Sequence, residues 1–135
     1  MIRATVIAGV RAYLAATYQG PIAIHPETSV ETIDPPYAVV RVGSGEQLYP
    51  EQAEIWDLNI LIGVFHDADV TTPEQAEANA AELFALFRDP AGLFDSTEQT
   101  LVWSALERNG TDASIVETRW QHVAAFRGIV APVAD

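Results

Sequence analysis

Alternating apolar and polar residues mark two strands of the chain. Between residues 54 and 65 one parity is wholly apolar: Trp56, Leu58, Ile60, Ile62 and Val64. The other parity is mixed: Ile55, Asp57, Asn59, Leu61, Gly63 and Phe65. Because successive side chains of a strand point to opposite faces, this pattern predicts a strand with one core face and one face that is partly exposed or covered by a partner. A second alternating run predicts a long last strand, with one face formed by Val116, Thr118, Trp120, His122, Ala124 and Phe126.

Two segments have helical rather than alternating spacing. Apolar residues recur every three or four positions from about residue 2 to residue 18, and Gly20-Pro21 ends that stripe. Thr72-Pro73-Glu74-Gln75 is typical of a helix start, in which Thr72 caps and Gln75 closes a capping box. The second helix is therefore predicted over residues 73–88. The helical residues predicted to face the core side of the sheet are Val6, Val10, Leu14, Leu83, Phe84 and Phe87.

The remaining segments complete a simple order of elements. A short strand at 22–24 is an open possibility, Tyr37–Val42 is β-rich and ends at Gly43-Ser44-Gly45, and 100–106 alternates again. Asn109-Gly110 is a turn signal. The order α-β-β-α-β-β predicts one two-layer α+β domain over residues 1–135, with a four-stranded, mainly antiparallel sheet and both helices on one face.

Composition narrows the function classes. The chain is 49% hydrophobic, has no cysteine, and carries only arginine among its seven positive side chains. A formal charge of −12 argues against a DNA-binding role that depends on neutralising phosphates. No stretch approaches the roughly 20 apolar residues of a membrane span, and Arg11 interrupts the apolar start, so we expect neither a membrane anchor nor a secretory signal.

Candidate chemistry is sparse. His66-Asp67-Ala68-Asp69 places one imidazole and two carboxylates within four residues, which suits a metal, but an acidic surface turn before a helix is the favoured interpretation. Gly43-Ser44-Gly45 lacks the full nucleophile elbow, and the absence of lysine removes Schiff-base and Walker-type chemistry. We therefore expect no enzyme activity, no cofactor and no bound metal.

Two segments are predicted to contact a partner. The first is the link from Gly43 to Gln52, which is longer than a hairpin needs and is acidic around one aromatic residue. A plain solvated loop is an equally good interpretation of it. The second is the turn from His66 to Thr71. The residues predicted to form this partner interface are Glu46, Tyr49, Glu51, Glu54, His66, Asp67 and Asp69.

The order of elements resembles that of tail-terminator, or tail-completion, proteins of long-tailed bacteriophages. The resemblance rests on an amphipathic helix at Ile2 to Tyr18, the proline-led strand Pro35-Pro36-Tyr37-Ala38-Val39-Val40, a variable link, and the strand from Ile55 to Phe65. A helix beginning near Thr72 and two C-terminal strands complete it.

What the resemblance implies is a structural role in the virion. It implies a homo-oligomeric ring, usually a hexamer, which is assembled in the host cytoplasm, caps the tail-tube protein and receives the head-completion or neck protein. Genomic DNA would pass through the lumen without specific binding. Six copies would carry 6 × −12 = −72 charges, and an acidic lumen repels phosphates. Two alternatives stay open: another phage neck or head-closure protein, and a small enzyme with a pocket under the sheet.

Overall fold

The computed structural model describes residues 2–25, 34–48 and 54–133, which form three helices and five strands. In chain order these are α1 Ile2–Thr17, β1 Ala23–Ile24, β2 Tyr37–Leu48, β3 Ile55–Asp67, α2 Pro73–Phe84, α3 Ala91–Ser96, β4 Leu101–Val116 and β5 Arg119–Pro132. A 3-10 turn at Ala85–Phe87 extends α2.

One mixed sheet holds the strands in the order β1-β2-β3-β5-β4. The short β1 runs parallel to β2, and every other neighbouring pair is antiparallel. The α+β class and the mainly antiparallel pairing are as predicted. The prediction of four strands and two helices was wrong, since it left out two short elements. These are β1, which has two residues, and α3, which has six. Elements that short have too few residues for a hydrophobic period to appear.

Two glycine segments that were predicted to end strands lie inside them. β2 continues through Gly43-Ser44-Gly45 with a shift of register between Val42 and Gly45. β4 continues through Asn109-Gly110 with a shift between Arg108 and Gly110, and Gly110 has a φ of 136°. Some β-bulges place a glycine at positive φ, as many tight turns do, so the dipeptide does not distinguish the two. The turn that joins β4 to β5 is at Glu117-Thr118, and Glu117 has a φ of 57°.

The start of α2 has the predicted cap but not the full capping box. The Gln75 backbone N–H donates to Thr72 Oγ1 over 3.2 Å, which satisfies one free donor of the first turn. The Gln75 side chain does not reach back to the cap; its Nε2 donates to Asn79 Oδ1 over 2.9 Å. The helix was also predicted to reach residue 88, but regular α-helix ends at Phe84 because the chain tightens into the 3-10 turn.

A single core lies between the helices and one face of the sheet. The predicted parity of β3 is confirmed, since Leu58, Ile60, Ile62 and Val64 are all buried, while Trp56 is half-buried at the edge. The predicted helical partners are also confirmed; the buried set is Val6, Val10, Leu14, Leu83, Phe84 and Phe87. All three helices contribute to this one cluster, so the described helices cover the same face of the sheet.

The contact between α1 and α3 explains the glycine in the middle of α1. A Cβ added at Gly9 would lie 2.8 Å from Thr97 Cγ2, too close for carbon atoms to approach. Thr97 is held in place because its Oγ1 donates to the Leu93 carbonyl over 2.8 Å and accepts from Trp103 Nε1 over 2.9 Å. Gly9 therefore permits close packing of the two helices.

Candidate functional site

The described helices leave the opposite face of the sheet uncovered, and we call this surface the open face. It is formed by the odd-numbered residues of β3 and β5 and by the β2 and β4 residues paired with them. Side chains of β3 alternate between half-buried on this face and buried on the core face. The prediction that the second face of β3 would be mixed and partly exposed is confirmed for the chain alone.

An apolar strip crosses the middle of the open face. Val39 on β2, Leu61 and Phe65 on β3, and Val123 on β5 line a depression of about 90 Å³. Gly63, Arg41 and Gln121 also line it. Because these side chains come from three adjacent strands, the strip is continuous rather than a set of isolated apolar residues.

One end of the open face carries an aromatic and basic cluster. The Tyr37 and Phe65 rings stack with centroids 5.0 Å apart. The Arg119 guanidinium lies over the Tyr37 ring at 5.6 Å, and its Nη1 donates to the Tyr37 hydroxyl over 2.7 Å. Aromatic rings and arginine are enriched where one protein binds another, because rings bury much area for little loss of side-chain entropy and the Arg119 guanidinium is already held by Tyr37.

The other end of the open face is mainly acidic. Arg127 binds the Asp57 carboxylate with two nitrogens, at 3.0 Å from Nε and 2.6 Å from Nη2. Hydrogen bonding from this guanidinium lowers the pKa of Asp57, and the same hydrogen bond raises the pKa of Arg127. Glu46 pairs in register with Asp57, and Glu107 pairs with Arg127. The two ends of the face thus differ in charge.

The predicted interface residues are distributed over several surfaces. Glu46 is exposed on the open face, and Glu54 is exposed just before β3, where its Oε1 accepts from Trp56 Nε1 over 3.4 Å. Tyr49 and Glu51 lie outside the described residues. The prediction of a loop from Gly43 was wrong as far as Leu48, because β2 continues to that residue.

The turn after β3 separates the three residues that the sequence placed together. His66 is only 1% exposed, so its side chain belongs to the core and not to a contact surface of the chain. The alternation of β3 accounts for this, because His66 has the parity of Ile62 and Val64. Asp67 accepts from the Asp69 backbone N–H over 2.9 Å, and Asp69 is exposed. Within the described parts of the chain, no three His, Asp or Glu side chains are arranged to hold a metal ion.

A further concave feature is a groove on the helical side of the sheet. It has a volume of about 300 Å³ and lies between α2 and the far half of the β4–β5 hairpin. Phe84 and Ala80 form its helical wall, and His122 lies on its strand wall. The Arg108 guanidinium lies over the Phe84 ring at 5.7 Å. The groove exists because the hairpin extends beyond the helical layer, so that residues 107–115 are exposed.

No protein-family model matches the chain, and a search of characterised proteins gives no significant match. No helix in the described ranges is long and apolar enough to span a membrane.

Sequence reasoning missed the aromatic and basic cluster. Tyr37 and Arg119 are 82 positions apart and each was assigned to its strand without a role. The signal was present in part, since Arg119 lies on the polar parity of the last strand and Tyr37 is the one aromatic residue of β2. Only the register of β2, β3 and β5 places Tyr37 beside Phe65 and brings Arg119 within reach.

Proposed function

We propose that this protein is a structural assembly protein, which forms a ring of identical subunits at the end of a phage tail tube as tail terminators do. The observation that carries the proposal is the open face, which presents a continuous apolar strip between an aromatic–basic end and an acidic end. An apolar strip of this kind is stable against water only when it is small or is covered by another molecule.

The distribution of charge supports the same role. Arg41, Arg119 and Arg127 lie on the open face, and they are three of the seven arginines in a chain with a net charge of −12. The same face also carries Glu46, Asp57, Asp67, Glu107 and Asp112, so its net charge is 3 − 5 = −2 and the rest of the chain keeps −12 + 2 = −10. If the open face contacts protein, the surface left for the lumen is one that repels DNA phosphates.

The elements that flank the open face suit assembly. β4 is an edge strand of 16 residues, and its far half is exposed, including Ile115 at 56%. A heterologous contact joins one surface of a subunit to a different surface of its neighbour. Repeated contacts of this kind generate a ring when the rotation from one subunit to the next closes. An open face, a projecting hairpin and a strand edge are three such different surfaces.

The direct test measures assembly on the tube. The chain would be mixed with the tail-tube protein encoded in the same genome, and the mass of the complexes would be measured alongside electron micrographs of tube ends. We expect rings at one end of each tube. Leu61→Glu and Val123→Glu should prevent ring formation, because each places a charge on the apolar strip. Ala12→Glu, on the exposed side of α1, is the matched control and should assemble normally.

Two outcomes would contradict the proposal. Normal assembly by Leu61→Glu and Val123→Glu would exclude the open face as the contact. Phage lacking the gene should form overlong or headless tails, and tails of normal length joined to heads would exclude the terminator role. Binding to a head-connector protein with no affinity for the tube would instead favour the alternative of a neck or head-closure protein.

A further inference from the structure

The inference concerns two histidines on the core face of the sheet, beneath α2. His66 is near the end of β3 and His122 is on β5, where it pairs with Val64, two residues from His66 on the same face. His66 is 1% exposed, and the Nδ1 atoms of both rings are buried with no hydrogen-bond partner in the described chain. Buried polar atoms without partners are rare in folded proteins, and they call for a physical explanation.

A short chain of hydrogen bonds links the His66 ring to α2. Gln75 Nε2 donates to Asn79 Oδ1 over 2.9 Å, which leaves the Asn79 Nδ2 group to face His66 Nε2 at 3.1 Å. With the two amides in this orientation the His66 Nε2 atom accepts, and the neutral ring then carries its proton on Nδ1. In this state Asn79 of α2 is tied to the end of β3.

The protonated ring does not fit this arrangement. A second proton on Nε2 would face the donor group of Asn79. Rotating the Asn79 and Gln75 amides together would supply an acceptor and keep the bond between them, but the positive charge would stay buried, and the Nδ1 atom has no partner among the described residues in either state. Burial lowers the pKa of His66, and repulsion from His122 lowers it further.

No carboxylate in the described surroundings compensates that charge. The acidic residues of α2 are Glu74, Glu77 and Glu82, and all three are exposed. On the strands packed beside His66, the charged residues Arg41, Glu46, Arg119 and Arg127 belong to the open face, as do Asp57 and Asp67 of β3 itself. Among the neighbouring groups, His122 is the one that affects His66 electrostatically, and it is of like charge.

We propose that His66 is a pH-sensitive latch, which holds the middle of α2, at Asn79, on the sheet while its ring is neutral and releases it when the ring is protonated. This region is also attached by the bond from Trp120 Nε1 to the Thr71 carbonyl, at 2.9 Å, and by the packing of Ala76 and Ala80, which are 0% and 2% exposed. Release would widen the groove between α2 and the β4–β5 hairpin, because Glu77 and Ala80 form its helical wall. The latch is independent of the assembly role proposed above.

The direction of the pH effect follows from proton linkage. A histidine whose pKa is lower in the folded state than its usual value of about 6.5 binds fewer protons when folded than when free. The free energy by which the neutral ring stabilises the folded state is therefore complete above about pH 6.5 and is lost as the pH falls toward the folded pKa. As the pH falls, repulsion among the charges of a chain of charge −12 decreases, which stabilises the fold over the same range. A loss of stability confined to α2 thus distinguishes the latch from this general charge effect.

Hydrogen exchange of backbone amides at pH 7.5 and pH 5.5, corrected for intrinsic rates, tests the proposal. In the wild-type chain we expect the protection of α2 to fall about tenfold for each pH unit between about 6.5 and the folded pKa, while β3 and β5 change little. His66→Gln keeps an acceptor for Asn79 but does not titrate, so its α2 protection should be independent of pH. His25→Gln is the matched control and should behave as the wild type does.

Three results would each overturn the proposal. The first is α2 protection that does not change with pH in the wild type, and the second is a loss of α2 protection in His66→Gln equal to that in the wild type. The third is an equal loss of protection in every element. If His66→Gln does not fold, the titration of the His66 ring can be followed by NMR in the wild type. A midpoint below 6.5 that coincides with loss of α2 protection supports the latch, and a midpoint at or above 6.5 overturns it.

Discussion

The two faces of the sheet share the same strands and backbone hydrogen bonds, yet they have different physical roles. On β3, Ile60 is 2% exposed beneath the helices, whereas the adjacent Leu61 is half-buried on the open face. The two residues have the same size and hydrophobicity, so the difference lies in what covers them. The comparison shows that a residue's type does not reveal whether its side chain stabilises the fold or is available to a partner.

The largest effect should come from truncating Ile60, the buried member of this pair. Ile60→Ala should lower the free energy of unfolding by roughly 2–5 kcal/mol, because it removes buried methyl groups and leaves a cavity. Leu61→Ala, the matched change on the open face, should cost about 1 kcal/mol or less. Urea unfolding at neutral pH measures both, and equal losses would mean that the two faces do not differ in burial as described.

The next effect tests the bulge in β4, which lies where the hairpin leaves the helical layer. Gly110→Ala should cost about 1–3 kcal/mol, because a φ of 136° is strained for any residue with a Cβ. The matched control is Gly43→Ala in β2, where a Cβ would meet Leu61 Cδ1 at an ordinary 3.6 Å. A Gly110→Ala protein as stable as the control would contradict the bulge geometry.

A smaller effect is expected at the start of α2. Thr72→Ala should cost about 1 kcal/mol, because the Gln75 backbone N–H loses its acceptor. Thr72→Ser retains the hydroxyl oxygen and should restore most of the loss. Thermal unfolding of the three proteins in parallel is sufficient, and a serine variant as unstable as the alanine variant would show that the hydroxyl is not the cause.

The smallest effect should be on the open face, at the Asp57–Arg127 pair. Because the guanidinium lowers the pKa of Asp57, the pair contributes above the usual carboxyl pKa of about 3.9, and this contribution is lost as the pH falls through the lower folded value. Arg127 is 54% exposed, so solvent screens the pair. Asp57→Asn should lower the melting temperature slightly at pH 7 and not at all in strong acid. A large change at pH 7 would indicate that the pair is buried by a partner in solution.

The period of hydrophobic residues in the sequence predicted much of this fold. The parity of β3, the stripes of α1 and α2 and the α+β class all followed from the sequence, because each long element repeats its signal several times. The cap at Thr72 also followed, since capping depends on residues three positions apart. The sequence likewise indicated that the second face of β3 was not a simple solvent face.

Tertiary structure alone decided the features that depend on residues far apart in the chain. Asn109-Gly110 became a bulge rather than a turn because β4 and β5 stay paired past it, and no local signal encodes that pairing. Tyr37 meets Arg119, and Asn79 meets His66, only through strand register and helix placement. Its acidic neighbours predicted that His66 belongs to a surface turn. The structure buries it instead, because its parity on β3 directs it to the core face and α2 packs over that face. Local composition describes the residues beside a side chain in sequence, whereas its burial and its protonation depend on the residues packed against it in space.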